Sequence, residues 1–344
     1  MRERYKAMIR DYLRLSYRCV LFLLISLASV LPVASQTCTM GPEMDPATRS
    51  AVESAAHQYF NMAVQGDIFG LKQNSIPAIA NDFSGIERAV IDNRAVLSGD
   101  QPAIRNTYLL DLPGAAAQES AEFFCGVFGA NGQTPNSAGF RIPNLPPGRY
   151  AIVVQDVQGT KGPAALTLVL QQLSTGWKLG GFYAKLLQVG GHDGEWFANM
   201  AREFKNKGQM HNAWFYYMQA RDLLAPVPFI STLKLDRLYD EAQQVMPKDI
   251  PISGPVNFAG SDGRTYEFTS MFPVVVGDEL NLVVRYQSAD VSDSAKAFQE
   301  NTALMRALVA RYPEYREGFQ AIVARAVAPS GQDYGTLLAM KDIK

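Results

Sequence analysis

The apolar positions of this chain change period along its length. Val52, Ala55, Ala56, Tyr59, Phe60, Ala63 and Val64 recur at i, i+3 and i+4, the stripe of an amphipathic helix. Asp45-Pro46 supplies an N-cap followed by proline at the first helical position, and Gly66-Asp67 ends the run. A short helical turn through Ile68, Phe69 and Leu71 comes next. A further helix is predicted from near Ser84 to Leu97, with Ile86, Ala89, Val90 and Leu97 inward, stopping at Gly99. After Pro102 the period becomes two. The stretches AIRNTYLLDL, AEFFCGVFG, GRYAIVVQDV, AALTLVLQQL and WKLGGFYAKLL read as successive strands, and Ser174-Thr175-Gly176 joins the last two as a hairpin. Helices followed by an antiparallel meander imply an α+β fold, with the helices on one face of a curved sheet.

Gly190-Gly191 makes a joint, and the segment from Glu195 to Pro228 then reads as two aromatic-rich helices. Within it, WFYYM puts bulk all round its helix, so burial on more than one side is expected. A third helix with Leu235, Leu238, Tyr239 and Ala242 would cap the pair. From about Ile250 a small α+β unit is expected. TYEFTSMFPVVV and ELNLVVRYQ are two strands around Gly277-Asp278, with a turn at Asp262-Gly263. Phe298, Met305, Leu308, Val309 and Tyr312, then Phe319, Ile322, Val323 and Ala326, read as helical stripes punctuated by Pro313. YGTLLAMKDI returns as a final strand. The domain plan is therefore 46–189, 193–246 and 250–344.

The first unit resembles the ketosteroid-isomerase-like, or nuclear-transport-factor-like, cone fold. The likeness rests on the long helix ending in QGDIFGLKQNSIP, the helix before the sheet, and the late hairpin LTLVLQQLSTGWKLGGFYAKL, with a Trp after its turn. The helical pair resembles a tetratricopeptide repeat. Phe197, Met200, Ala201, Phe204 and Gly208 match its first helix and turn. Ala213, Tyr217 and Ala220 match the second helix, with Pro226 within a residue of the terminal proline. A lone repeat cannot bury its own faces, so this pair must dock on another part of the chain or on a partner.

The N-terminus gives an address. Arg2, Arg4, Lys6, Arg10, Arg14 and Arg18 precede an apolar run from Cys19 to Leu31, about 13 residues and short of the roughly 20 that span a bilayer. Pro32 and the small residues Ala34 and Ser35 fit a signal peptide over residues 1–35 that is cut near Ser35. An uncleaved anchor from Tyr17 through Ala34 is the alternative. Gln36-Thr37 before Cys38 argues against lipid attachment. Either way the bulk of the chain is exported, and any membrane contact is through that segment alone. Removing Cys19 leaves Cys38 and Cys125. In an oxidising compartment the pair implies one disulfide, worth about 4 kcal/mol for a loop this long. The alternative is a buried free thiol at Cys125, among Phe123, Phe124, Val127 and Phe128.

Composition then narrows the chemistry. Hydrophobic residues make up 47% and charged residues 19%, as in a globular protein. The net charge of −1 falls to about −5 without the leader, which excludes a nucleic-acid footprint. His57, His192 and His211 are too few and scattered for a recognisable metal site. GTKGPAA lacks the spacing of a phosphate-binding loop, and no nucleophile–base signature occurs. Asp193 and Glu195 beside His192 read as a helix cap and a dipole partner, not metal ligands; Asp290 and Asp293 read as a strand end and a cap.

The resemblance to the cone fold implies that proton-transfer chemistry, if present, would use polar groups in an apolar pocket. The groups available are His57, Tyr59, Tyr108, Asp111 and Tyr183, none matching a family catalytic motif, so no catalytic residue, cofactor or metal ligand is assigned. The expected function is an exported, non-enzymatic scaffold that binds a protein or a small apolar ligand. An isomerase-like enzyme acting in the cone is the alternative.

Overall fold

The computed structural model describes residues 36–260 and 263–344; residues 1–35, where a leader or anchor is expected, and Ser261 and Asp262, at the expected turn, lie outside them. Helices and open antiparallel sheets make up the α+β fold. Strand β1 (Thr37–Met40) and a single 3-10 turn lead to α1 (Pro46–Gln65), α2 (Ile68–Gln73), α3 (Pro77–Asn81) and α4 (Ser84–Leu97). Asp45 caps α1 by accepting from Thr48 N at 2.8 Å. Six strands follow: β2 (Ala103–Leu112), β3 (Gln118–Gly129), β4 (Gly132–Leu145), β5 (Gly148–Gly159), β6 (Gly162–Leu173) and β7 (Gly176–Leu186).

The strands do not form one meander. The first sheet runs β1-β2-β5-β6-β7, while the β3–β4 hairpin leaves it and packs on its other face. This explains why β5 is buried from Tyr150 to Gln155 on both faces. Ala151 and Val153 meet α1 and α4, and Tyr150, Ile152 and Val154 meet Phe123, Phe140 and Ala138. β4 is a strand that the sequence does not announce, because Pro135, Asn136, Pro143 and Asn144 read as breakers. The hairpin tolerates Pro143 for a geometric reason. Arg141 N–H donates to Phe229 O, so odd-numbered nitrogens point toward that side, and the neighbouring strand there pairs only with Ala138–Phe140.

That neighbour comes from far along the chain. After the two-residue strands β8 (Gln188–Val189) and β9 (His192–Asp193), the helical pair α5 (Gly194–Asn206) and α6 (Met210–Leu224) follows. Strand β10 (Ile230–Thr232) then returns to pair with β4 before α7 (Leu233–Gln243). Lys185 of β7 adds a second tie, donating to the Asp222 and Ala225 carbonyls at the end of α6, where a cation suits the helix dipole. Asp193 caps α5 by accepting from Trp196 N at 2.9 Å. In α7, Leu235, Leu238 and Ala242 are buried as expected, whereas Tyr239 faces solvent and carries Arg221 over its ring.

The C-terminal part contains β11 (Val256–Ala259), β12 (Thr265–Val276), β13 (Glu279–Gln287), α8 (Ser294–Arg311), α9 (Tyr315–Gly318), β14 (Ala321–Val327) and β15 (Asp333–Ala339). They make a sheet in sequential order, antiparallel except for the parallel β13–β14 pair. Here the sequence reading needs correction: Ile322, Val323 and Ala326 lie in a strand, not a helix. Both periods contain an i, i+4 pair, so Ile322 and Ala326 fit either. Ala324 at 0% exposure decides for the alternation. Phe298 is also turned out of its expected stripe, 44% exposed. The helical pair and this sheet share one continuous core from Val189 to Ile343. Phe215 meets Phe319 at 5.8 Å between ring centroids, and the Tyr216 hydroxyl donates to Gly318 O at 2.8 Å.

Candidate functional site

The interior between α1, α4 and the first sheet is packed with side chains. Val52, Ala56, Tyr59, Phe60, Leu166 and Leu168 fill it, each at most 3% exposed. The five polar candidates do not converge there. Tyr59 alone enters this core, and its hydroxyl is held by the carbonyls of Asn74 and Trp177, each at 2.9 Å; burial pushes its pKa up to about 12. His57 is half-buried on the outer side of α1, beside Arg49 and Glu53. Tyr108 lies in the core on the opposite face of the sheet, its ring 4.9 Å from Phe140, and burial raises its pKa. Asp111 pairs with Arg149 at 3.2 Å, and Tyr183 packs against Phe229 at the surface. Tyr59→Phe is expected to cost about 1–2 kcal/mol in denaturant melts, the loss of a buried donor to two carbonyls; no change would mean that those contacts are not formed.

The open space lies elsewhere. A cleft of about 980 Å³ separates the β1–β3 edge from α5 and α7. Its floor is apolar, with Met40, Tyr108, Val127 and Leu238. Gly126 shapes that floor. Its φ is +79°, and a Cβ there would fall 2.1 Å from Asn136 O, so no other residue fits without moving the hairpin. The β3 register shifts between Gly126 and Phe128, a bulge that turns Val127 outward, 57% exposed.

The helical wall of the cleft is charged. Arg202 of α5 holds Glu241 of α7 through two hydrogen bonds of 2.7 and 3.0 Å. The Tyr217 hydroxyl of α6 donates to the same carboxylate at 2.9 Å, so one side chain joins three helices. The Arg202 guanidinium keeps the Glu241 carboxyl below its usual range, against the cost of partial burial, and Tyr217 adds to the effect. Burial, with Glu241 beside it, pushes Tyr217 up to about 12. Lys234 pairs with Glu195 across the α5–α7 gap. Arg202 and Glu241 line the cleft but were not singled out from the sequence; the signal was Arg237 and Glu241 at i, i+4 on α7, which place charge on one face beside the apolar stripe.

Because the folded-state pKa of Glu241 is depressed, its contribution is present above about pH 4.3, the ordinary glutamate value, and fades as pH falls through the lower folded value. Glu241→Gln is therefore expected to lower stability by roughly 0.5–1 kcal/mol at neutral pH, in line with a partly exposed ion pair. The gap to the unaltered protein should close on acidification below about pH 4. A pH-independent gap in urea titrations would contradict this.

A second polar cluster braces the C-terminal core. His211 Nε2 lies 2.8 Å from Asp249 Oδ1 and Nδ1 lies 3.3 Å from Glu314 Oε1, while the Tyr312 hydroxyl donates to Asp249 at 2.8 Å. Asp290 and Asp293 are local caps: Asp290 accepts from Ser292 N, and Asp293 from Ala295 N and Lys296 N. Among the described residues no group of His, Cys, Asp and Glu is arranged to hold a metal ion.

Cys38 and Cys125 form a disulfide, with Cα atoms 5.0 Å apart. It joins β1 to β3, the edges of two different sheets. Among the described residues no helix is long and apolar enough to cross a membrane. No family model, curated protein or solved structure matches the chain.

Proposed function

We propose that the chain is an exported, non-enzymatic binding scaffold whose ligand, a protein segment or a small apolar molecule, enters the cleft between the β1–β3 edge and helices α5 and α7. One observation carries this reading: the space beneath α1 and α4 is filled by side chains, while the cleft outside it is open and has an apolar floor. Export is supported by the Cys38–Cys125 disulfide, which belongs to an oxidising compartment, together with the leader-like N-terminus. The cone-like first unit and the repeat-like pair supply rigid walls in this reading. The dispersal of His57, Tyr59, Tyr108, Asp111 and Tyr183 weighs against the isomerase alternative, which needs convergent polar groups.

A photo-crosslinking residue placed at Val127, and as a control at the exposed Ile91 of α4, tests the reading in the exporting cell. Adducts specific to Val127 are expected. Identical patterns at both positions would defeat the cleft assignment. Turnover of an enolisable ketone that disappears in Tyr59→Phe would instead establish the enzyme.

A further inference from the structure

The C-terminal sheet has two unlike faces. Leu282, Val284 and Tyr286 of β13 and Ile322, Ala324 and Ala326 of β14 turn inward, all at 0% exposure, and α8 covers that side through Asn301, which bonds Tyr286 and Thr336. The alternate residues point outward. Across four strands they stand in register: Phe272 beside Val283, Val283 beside Val323, and Val323 beside Leu337. Phe272 and Leu337, 37% and 49% exposed, are the open part of this apolar ladder, while Val283 between them is 5% exposed.

Charge is sorted along the strands on the same face. In the next row, Arg285 and Arg325 are register partners. Arg325 binds Asp333, while Arg285 is exposed and reaches over the Phe272 ring. At the opposite end of β13 stand the exposed Asp278 and Glu279. Glu279 and Arg285 are about 20 Å apart along the strand.

We propose that this outer face is the twofold interface of a homodimer. A surface that runs basic, apolar, acidic along its strands is complementary to a copy of itself with the strands reversed. The twofold axis then crosses the strands in the plane of contact and sets Arg285 of each copy toward Glu279 of the other. An axis along the strands would instead bring the arginine rows together, a like-charge arrangement that the pattern disfavours. The footprint, about 20 Å along the strands and about 20 Å across them, is on the order of 400 Å² per copy, which is small for a permanent dimer and suits reversible, micromolar association.

Sedimentation of the exported chain between about 1 and 200 µM should show a monomer–dimer equilibrium with a Kd on the order of 1–100 µM. Arg285→Glu should weaken it roughly tenfold or more, as should Glu279→Arg, and the double charge swap should restore it to within about threefold. Leu337→Asp provides a variant outside the charged rows and should also dissociate the dimer. Far-UV melts of each variant monitor folding, and these exposed positions should leave the midpoint nearly unmoved. A wild-type chain that stays monomeric at about 200 µM overturns the proposal. So does a dimer indifferent to the single reversals, or a double swap that fails to restore association.

Discussion

Replacing Phe215 with alanine is expected to lower the stability of the shared C-terminal core by about 3–5 kcal/mol, the range for truncating a buried phenylalanine. Phe215 is fully buried on α6 and faces Phe319 at 5.8 Å and Tyr315 at 6.4 Å. It therefore stands where the helical pair meets the strands after α9. Few nearby side chains can collapse into the void, because Tyr315 and Phe319 are themselves buried and Tyr216 is tied to Gly318. Fluorescence offers a regional readout, since Trp196 and Trp214 belong to this core and Trp177 to the one beneath α1. The expected result is one transition for Trp196 and Trp214, displaced to lower denaturant, with the milder Phe215→Leu lying between. A loss below about 1 kcal/mol would mean that the helical pair and the C-terminal sheet do not share a cooperative core.

The second large effect concerns the crosslink. Replacing Cys38 and Cys125 together by alanine is expected to cost about 2–4 kcal/mol, because the bond closes a long loop, with a sequence separation of 87. Its position adds to the case. β1 pairs with β2 and β3 pairs with β4, so no backbone ladder runs between β1 and β3. Beyond the sulfur bond, Glu122 N–H donates to Gln36 Oε1 there at 2.9 Å. A thiol reductant should reproduce the loss in the unaltered chain and leave the alanine pair unaffected. Equal unfolding midpoints with and without reductant would refute the expectation.

What could be read in advance follows a physical line. The elements of the first unit were legible where one face is buried and local signals agree: Asp45 capping, the Val52–Val64 stripe and the Gly176 hairpin all appear as expected. The cysteine pair was legible from the even count that remains if Cys19 belongs to a leader, though a free thiol stood open until the geometry placed the sulfurs together. Three things were not legible. β4 carries Pro143, which is harmless because of where β10 ends, a fact set some way down the chain. β14 satisfies two periods at Ile322 and Ala326, and only tertiary burial of Ala324 separates them. The cleft is built by residues from β1, β3, α5 and α7, each ordinary in its own element. Sites assembled from distant segments leave no local pattern to find.

The return of β10 to the edge of β4 sets a timetable. Phe140 is made early, but its ladder partner Ile230 follows roughly ninety residues later, so the hairpin must wait with one side unsatisfied while α5 and α6 are still being made. That interval leaves an open strand edge exposed to stray strands. Pro143, which withholds a donor along that very side, leaves one fewer group for such pairing until the rightful segment arrives.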